Sequence, residues 1–326
     1  MNYIVTGAAG FIGYHTAKKI LEDGNNVLAI DNINDFYDIK LKNERVKILN
    51  TYNNFELVNI DLKNKDAVQI NLSKKIENVD SIIHLAAYAG VRTSIIDPWS
   101  YQDNNVNATL NLLELSKTNN ITNFTLASTS SVYGDNKNLP TKESDISSKP
   151  LSPYAASKIS AELLTYNYHY HFGLNTAILR FFTVYGPFGR PDMVIFKFLK
   201  SILDNTPITI YGDGEQTRDF TYVSDVSKAL ILSTNIKGHN IFNVGSGQSI
   251  SVNKLIEIIE EYLNKKAIKE YIERDPSDIG HSLADTTRIK NNLNWDAKTD
   301  IEKGIIQTCE WFIKNIEFIS SIKIQD

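Results

Sequence analysis

Thr6-Gly7-Ala8-Ala9-Gly10-Phe11-Ile12-Gly13 is the stretch from which the fold can be read. It follows the apolar run Tyr3 to Thr6 and opens a helical pattern from Phe11 to Asp23. Backbone N–H groups and a helix N-terminus therefore face one point, where a pyrophosphate can sit. The glycine spacing is GxxGxxG and not the GxGxxG of the standard dinucleotide fingerprint, and a glycine triplet alone also serves as an ordinary tight turn. Its position favours the cofactor reading. The next apolar run, Val27 to Ile30, ends at Asp31, where a carboxylate can bond both hydroxyls of an adenosine ribose. That carboxylate, with no arginine directly after it in Asp31-Asn32-Ile33-Asn34, points to NAD over NADP. Gly7, Gly10, Phe11, Ile12, Gly13, Asp31 and Asn32 are the expected cofactor contacts.

Outward from this turn the chain keeps one rhythm. Phe55 to Ile60, Ser81 to Leu85, Phe124 to Ser128 and Thr176 to Phe182 are further short apolar runs. Trp99 to Thr118 and Pro153 to His171 carry helical spacing, the former behind the start signal Asp97-Pro98. Such alternation predicts an α/β fold, a Rossmann-type doubly wound parallel sheet covered on both faces. Asp61 and Leu62 at the tip of the third strand are placed to meet an adenine, although Asp61 also fits a polar residue that simply ends a strand. Leu85-Ala86-Ala87 offers small residues where a cofactor must approach closely, and His84 before it reads as a core histidine. After about Thr183 the pattern changes to Gly-Pro turns, a Tyr211-Gly-Asp-Gly loop and shorter elements. The expected division is residues 1–182 as the NAD-binding domain and 183–326 as a smaller substrate-binding region, interleaved because no linker separates them.

Composition narrows the class. With 42% hydrophobic residues, 326 residues can bury a large core. The charge of -4, from 34 basic and 38 acidic residues with no Lys/Arg block, argues against nucleic acid. The single cysteine, Cys309, can form neither an internal disulfide nor a CxxC site. No window approaches the ~18 apolar residues of a membrane span, and Met1 to Gly13 lacks the features of a signal peptide. A cytoplasmic setting is expected.

Tyr154-Ala-Ala-Ser-Lys158 places a phenol and an ammonium on one helix face. A tyrosine with its ordinary pKa near 10 is a poor base at neutral pH, and an adjacent cation lowers that value. YxxxK alone also occurs as an exposed helical pair. Together with the glycine turn and the hydroxyl-rich Ser128-Thr129-Ser130-Ser131, it forms an alcohol-oxidation unit.

On these motifs, with Asn104-Asn105-Val106-Asn107 and Arg274, the chain resembles, over essentially its whole length, the extended short-chain dehydrogenases/reductases that act on nucleotide sugars. The resemblance implies catalytic Thr129, Tyr154 and Lys158, with Thr129 orienting a sugar 4-hydroxyl, and adds Leu85, Ala86, Ala87, Asn104, Tyr154 and Lys158 to the NAD contacts. Dehydratases of the family carry an Asp-Glu pair where this chain has Ser130 and Ser131, so dehydration lacks its acid and base. Arg218, in Tyr211-to-Phe220, and Arg274, in Glu273-to-Asp278, match arginines that grip a sugar-nucleotide diphosphate, a task suited to a planar fork. Each alone also fits a surface arginine.

Phe181-Phe-Thr-Val-Tyr-Gly-Pro-Phe-Gly-Arg-Pro-Asp-Met193 is similar to the matching segment of UDP-glucuronate 4-epimerases, as are Asp31 to Asp38 and Ala89 to Ser94. By that resemblance Thr183 and Arg190 bind a C6 carboxylate and Arg92 lies near the sugar or phosphate, with Thr129, Ser130 and Ser131 also on the substrate. Arg190 also fits a turn residue paired with Asp192. The expectation is epimerisation of a UDP-sugar through a transient 4-keto intermediate, in a homodimer joined by the helices at Trp99 to Thr118 and Pro153 to His171. Rival readings are a UDP-glucuronate decarboxylase, a 4-epimerase of neutral UDP-hexoses or UDP-N-acetylhexosamines, and a non-catalytic NAD sensor.

Overall fold

A computed structural model describes residues 1–326 except Lys74, Ser147, 275–277 and 325–326. In chain order its first half runs β1 (Asn2–Thr6), α1 (Phe11–Glu22), β2 (Asn26–Ile30), α2 (Ile39–Leu49), β3 (Phe55–Val58), α3 (Lys65–Leu72), β4 (Ser81–His84), α4 (Val91–Ile96), α5 (Pro98–Tyr101), α6 (Ala108–Thr118), β5 (Asn123–Thr129), α7 (Pro153–Phe172) and β6 (Asn175–Phe181). A π-helical segment, Gln102–Asn107, joins α5 to α6. The second half runs β7 (Thr183–Tyr185), α8 (Val194–Asp204), β8 (Pro207–Tyr211), β9 (Thr217–Tyr222), α9 (Val223–Ser233), β10 (His239–Val244), β11 (Ser249–Ser251), α10 (Val252–Leu263), β12 (Ile268–Ile272), α11 (Thr287–Leu293), α12 (Ile301–Lys314) and α13 (Ile316–Ser320).

The six strands expected from the apolar runs all form, with ends within two residues of those read from the sequence. They lie in a seven-stranded sheet of order β10-β6-β5-β4-β1-β2-β3 in which every pairing is parallel. Chain direction across the sheet reverses between β1 and β4, and this switch opens a crevice at the carboxyl ends of the strands. The seventh strand, β10, comes from the second half of the chain, and α9 packs on α1. Val5, Ala17 and Ile20 thus share an apolar cluster with Val226, Leu230 and Val244. A separate cluster, with Phe198, Ile208, Leu255, Ile259 and Phe312 at its centre, supports the small sheets β11-β9-β7 and β12-β8.

Helix α2 did not show in the periodicity. It buries Leu41, Lys42, Arg45 and Leu49, so two of its four inward residues are cations and the apolar stripe is broken. Arg45 ties the halves together: Nη1 donates to Ala9 O at 2.8 Å and Nη2 to Phe188 O at 2.6 Å. His15 Nε2 likewise donates to Pro187 O at 2.8 Å. No described helix is long and apolar enough to cross a membrane.

Candidate active site

The glycine turn is shaped by how closely its own backbone approaches itself. Gly7 has φ +68, and a Cβ there would stand 2.8 Å from Ala86 N; a Cβ on Gly13 would stand 2.0 Å from Gly7 O. Only glycine lets α1 start this close to β1 and β4. Thr6 locks the facing loop, its Oγ1 accepting from Leu85 N at 3.1 Å and Ala86 N at 3.0 Å. His84 stays in the core as expected: its ring meets Thr6 Oγ1 at 2.8 Å and Thr109 Oγ1 at 3.0 Å, and burial pulls its pKa down to about 3.

Between these walls lies one long cleft. Gly7, Gly10, Phe11, Ile12, Gly13, Asp31, Asn32, Asp61, Leu62, Leu85, Ala86, Ala87, Asn104, Tyr154 and Lys158 all line it, so every residue expected to touch the cofactor meets in one place. Asp31, 8% exposed, is held by Ala9 N at 2.9 Å and Ile33 N at 2.8 Å, which leaves its carboxylate at the cleft wall with further acceptor capacity. The close backbone at Gly7 and Gly13, the helix N-terminus and this carboxylate suit a dinucleotide's pyrophosphate and ribose.

Several cleft residues escaped the sequence reading. Lys42 comes from α2, with Nζ donating to Asn34 Oδ1 at 2.7 Å; burial lowers its pKa to about 8 while the nearby Asp31 carboxylate opposes that fall. Phe36, Tyr37 and Tyr88 add aromatic walls. The signal was the pairing of Asp31-to-Asp38 with the inward cations of α2, which apolar periodicity cannot detect.

At the other end stands α7. Ser152 caps it by accepting from Ala155 N at 3.2 Å, Pro153 occupies the first turn, and Gly173 ends it in the left-handed conformation. The cap sets the helix phase that turns Tyr154 and Lys158 together into the cleft. Asn105, in the π-helical segment, braces this end: its side chain accepts from Tyr88 N at 2.8 Å and donates to Ser157 Oγ at 2.9 Å. Thr129, at the tip of β5, donates from Oγ1 to Ser131 Oγ at 3.1 Å, and its hydroxyl acts to lower the Tyr154 pKa. Ser130 and Ser131 follow in a 3-10 turn, where Ser131 N donates to Thr129 Oγ1 at 3.1 Å.

Burial holds the Tyr154 phenol above its ordinary pKa, opposed by the Thr129 hydroxyl and by the positive charge of Arg190. The helical spacing offered Lys158 as such a charge; Arg190, delivered by a turn in the second half, adds one that no spacing argument could supply. Lys158, 3% exposed, is pulled down by burial to about 8, with the Glu162 carboxylate acting against the fall. It is therefore largely cationic at neutral pH.

Arg190 lines both this cleft and a smaller apolar cavity whose wall includes Thr183. Its Nε donates to Asp192 Oδ1 at 3.0 Å, and Nη2 donates to Asp192 Oδ2 at 2.5 Å and to Ala89 O at 3.1 Å. The pairing with Asp192 weighed from the sequence is thus present, on a guanidinium that also faces the cleft.

The remaining arginines gather apart from the cleft. Arg92 of α4 reaches across to Asp278 at 2.6 Å and lies over the Tyr211 ring at 4.0 Å. Arg274 Nη2 donates to Asp278 O at 2.8 Å, and Arg218 Nη1 donates to Gly280 O at 3.2 Å. Burial lowers the Arg218 pKa, Asp278 opposes the fall, and Arg274 and Arg92 add to it, as mutual repulsion among three gathered cations requires. Asp275 to Ser277 of the Arg274 motif lie outside the described residues. Three arginines from distant segments thus gather at Asp278, Arg92 on its carboxylate, Arg274 on its carbonyl and Arg218 beside them, a group suited to an anion.

Comparison with known proteins agrees with this arrangement. Residues 4–308 match the family model for GDP-mannose 4,6 dehydratase. The chain is 45% identical over 323 residues, 99% of each sequence, to a UDP-glucuronate 4-epimerase of Thermodesulfobacterium geofontis. It superposes on the crystal structure of UDP-glucuronic acid 4-epimerase from Bacillus cereus in complex with UDP-glucuronic acid and NAD with a TM-score of 0.90, at 33% identity, covering 96% of this chain and 99% of that one. A UDP-N-acetylglucosamine 4-epimerase from Methanobrevibacter ruminantium gives 0.87 at 37% identity, covering 96% and 98%. With a doubly wound parallel sheet, a glycine turn against Asp31 and a Thr129–Tyr154–Lys158 end to its cleft, the chain belongs to the GDP-mannose 4,6 dehydratase family, among the extended short-chain epimerases and dehydratases.

Proposed function

We propose that this protein is an NAD-dependent UDP-glucuronate 4-epimerase, interconverting UDP-glucuronate and UDP-galacturonate. The observation that carries the sugar assignment is the position of Arg190, a cation at the junction of the Tyr154 cleft and the Thr183 cavity. Beyond the Asp192 carboxylate with which it already pairs, this charge would find no counter-ion on a neutral hexose. Ser130 and Ser131 provide no carboxyl group for dehydration, in contrast to the activity that names the family.

NAD, held along Gly7 to Gly13, Asp31, Asn32, Asp61, Leu62, Leu85 to Ala87 and Asn104, supplies a reversible hydride acceptor. Thr129 orients the sugar 4-hydroxyl and Tyr154 accepts its proton. Tyr154 takes that proton as the phenolate, a form that burial disfavours and that the positive charge of Arg190, together with that of Lys158, stabilises. Lys158 also holds the nicotinamide ribose. Arg92, Arg218 and Arg274 grip the diphosphate while the 4-keto sugar turns its other face to the same donor and acceptor groups. That 4-keto uronate is a β-keto acid, which loses CO2 when its carboxylate bond stands perpendicular to the carbonyl plane. Thr183 and Arg190 hold the carboxylate out of that alignment.

Residues 1–182 bind the cofactor in this reading and 183–326 mainly the sugar nucleotide. The protein works as a homodimer in the cytoplasm. Leu163, Tyr166 and Tyr170, spaced along one face of α7 and 48–72% exposed, support the dimer, as does Trp99 at 79%. Incubation with UDP-glucuronate, followed by NMR, tests the activity: UDP-galacturonate is expected, a UDP-pentose would make the protein a lyase, and no reaction would assign it another sugar.

A further inference from the structure

Arg45, on α2, is 0% exposed, and its hydrogen bonds among the described residues all end on uncharged oxygens. Nη1 donates to Ala9 O at 2.8 Å and to Tyr37 Oη at 2.6 Å, and Nη2 donates to Phe188 O at 2.6 Å. Nε is buried with no hydrogen-bond partner among the described residues. A guanidinium this deep, bonded to no carboxylate and with one donor idle, is a costly way to gain stability alone. What its three acceptors share is the cleft. Ala9 belongs to the glycine turn, and its N–H holds the Asp31 carboxylate at 2.9 Å. Tyr37 lines the cleft, with the Arg190 guanidinium 5.9 Å from the centre of its ring. Phe188 stands two residues before Arg190 and has φ +55, a left-handed conformation that a bulky residue rarely adopts, so this turn needs support from outside itself. Its ring is seated against Tyr14 and Trp311, with centroids 5.0 and 4.7 Å away, and the preceding carbonyl, Pro187 O, meets His15 Nε2 at 2.8 Å. The bond from Arg45 fixes the Phe188 carbonyl itself.

We propose that Arg45 is a positioning residue for Arg190: bonded at once to the glycine turn, the Tyr37 wall and the Phe188 carbonyl, it sets where the Arg190 guanidinium stands against the cofactor end of the cleft. Arginine suits this task because its planar fork sends several donors in fixed directions, so one side chain can span acceptors from three separate segments. Arg190 is held by two sets of contacts that do different things. Asp192 and Ala89 O bond its guanidinium and fix how the group is turned. Arg45 fixes what delivers it, through the backbone two residues upstream and through the Tyr37 ring beside it. A shift of about 1 Å in either would carry the cation off the position where a substrate carboxylate meets it.

The inference rests on the reading of Arg190 as the partner of a substrate carboxylate. Its test compares UDP-glucuronate with UDP-glucose, the same nucleotide on a sugar without a carboxylate. Both are titrated calorimetrically into protein in a Tyr154→Phe background with NAD at saturation. Arg45→Met removes all three bonds together with the buried charge. It is expected to raise the Kd for UDP-glucuronate about tenfold and to leave that for UDP-glucose within about twofold, because only the uronate uses Arg190. Where Arg45→Met does not fold, Arg45→Lys decides the matter: it keeps the charge, but an ammonium cannot span the three acceptors, and it must shift the same ratio by about threefold or more. A purely structural role would lower the melting temperature and weaken both ligands together. A ratio of the two Kd values equal to that of the unsubstituted protein would therefore overturn the proposal. Equal affinity for both ligands in the unsubstituted protein would instead overturn the uronate reading, and this inference with it.

Discussion

Replacing Arg190 by histidine tests the sugar assignment most sharply. In the structure the guanidinium spends Nε and one bond of Nη2 on Asp192, at 3.0 and 2.5 Å, and a second bond of Nη2 on Ala89 O at 3.1 Å, while facing the Tyr154 cleft. A charge-assisted hydrogen bond from this group to a substrate carboxylate contributes about 1.5–3 kcal/mol. Its loss should raise the Kd for UDP-glucuronate about 10- to 150-fold. The imidazole is mostly neutral above pH ~6.5, so Asp192 also loses its counter-ion and is left facing a second carboxylate, which adds to the loss. Calorimetric titration is best run in a Tyr154→Phe background, where turnover does not consume the ligand. In the single variant the 4-keto uronate is free to rotate into the decarboxylating geometry, so UDP-pentose and CO2 should appear beside the 4-epimer by NMR. Wild-type affinity with clean formation of UDP-galacturonate would show that Arg190 serves only its turn and Asp192, and the case for a uronate substrate would fall with it.

Tyr154→Phe removes the proton acceptor alone, so kcat should fall by about 10²- to 10⁴-fold while NAD and UDP-glucuronate still bind; turnover within a few-fold of wild type would reject the role. Asp31→Ala takes away the carboxylate fixed by Ala9 N and Ile33 N, and should weaken NAD binding and relax discrimination against NADP, with unchanged affinity for both placing the ribose elsewhere. Gly13→Ala drives a methyl to within 2.0 Å of Gly7 O, so the protein should lose NAD, read as absent cofactor absorbance in the purified variant, and retention of NAD would show that the turn can yield. Leu163→Glu places a charge on the exposed face of α7 and, for the proposed dimer, should shift sedimentation from a dimer in the unsubstituted protein to a monomer; a sedimentation coefficient equal in both would reject that face as the interface.

Much of this molecule is local and therefore legible in the sequence. Strand runs, the glycine turn, Asp31 at the end of β2 and the Tyr154–Lys158 spacing each depend on residues within a turn or two of one another, where backbone geometry alone sets which side chains share a face. Even the cap of α7 is written in Ser152-Pro153. Periodicity failed at α2, because Lys42 and Arg45 occupy positions that an apolar stripe reserves for hydrophobic residues, and they do so to reach the cleft and the opposite half of the chain. The tertiary structure alone decided which charges act on which groups. The charge of Arg190 acts on Tyr154 from a turn after β7, Arg180 bonds Glu162 from β6, and Arg92 meets Asp278 from α4. Electrostatic effects depend on distance in space and on burial, and a chain that brings residues 92 and 278 within 2.6 Å leaves no trace of that separation in its local pattern.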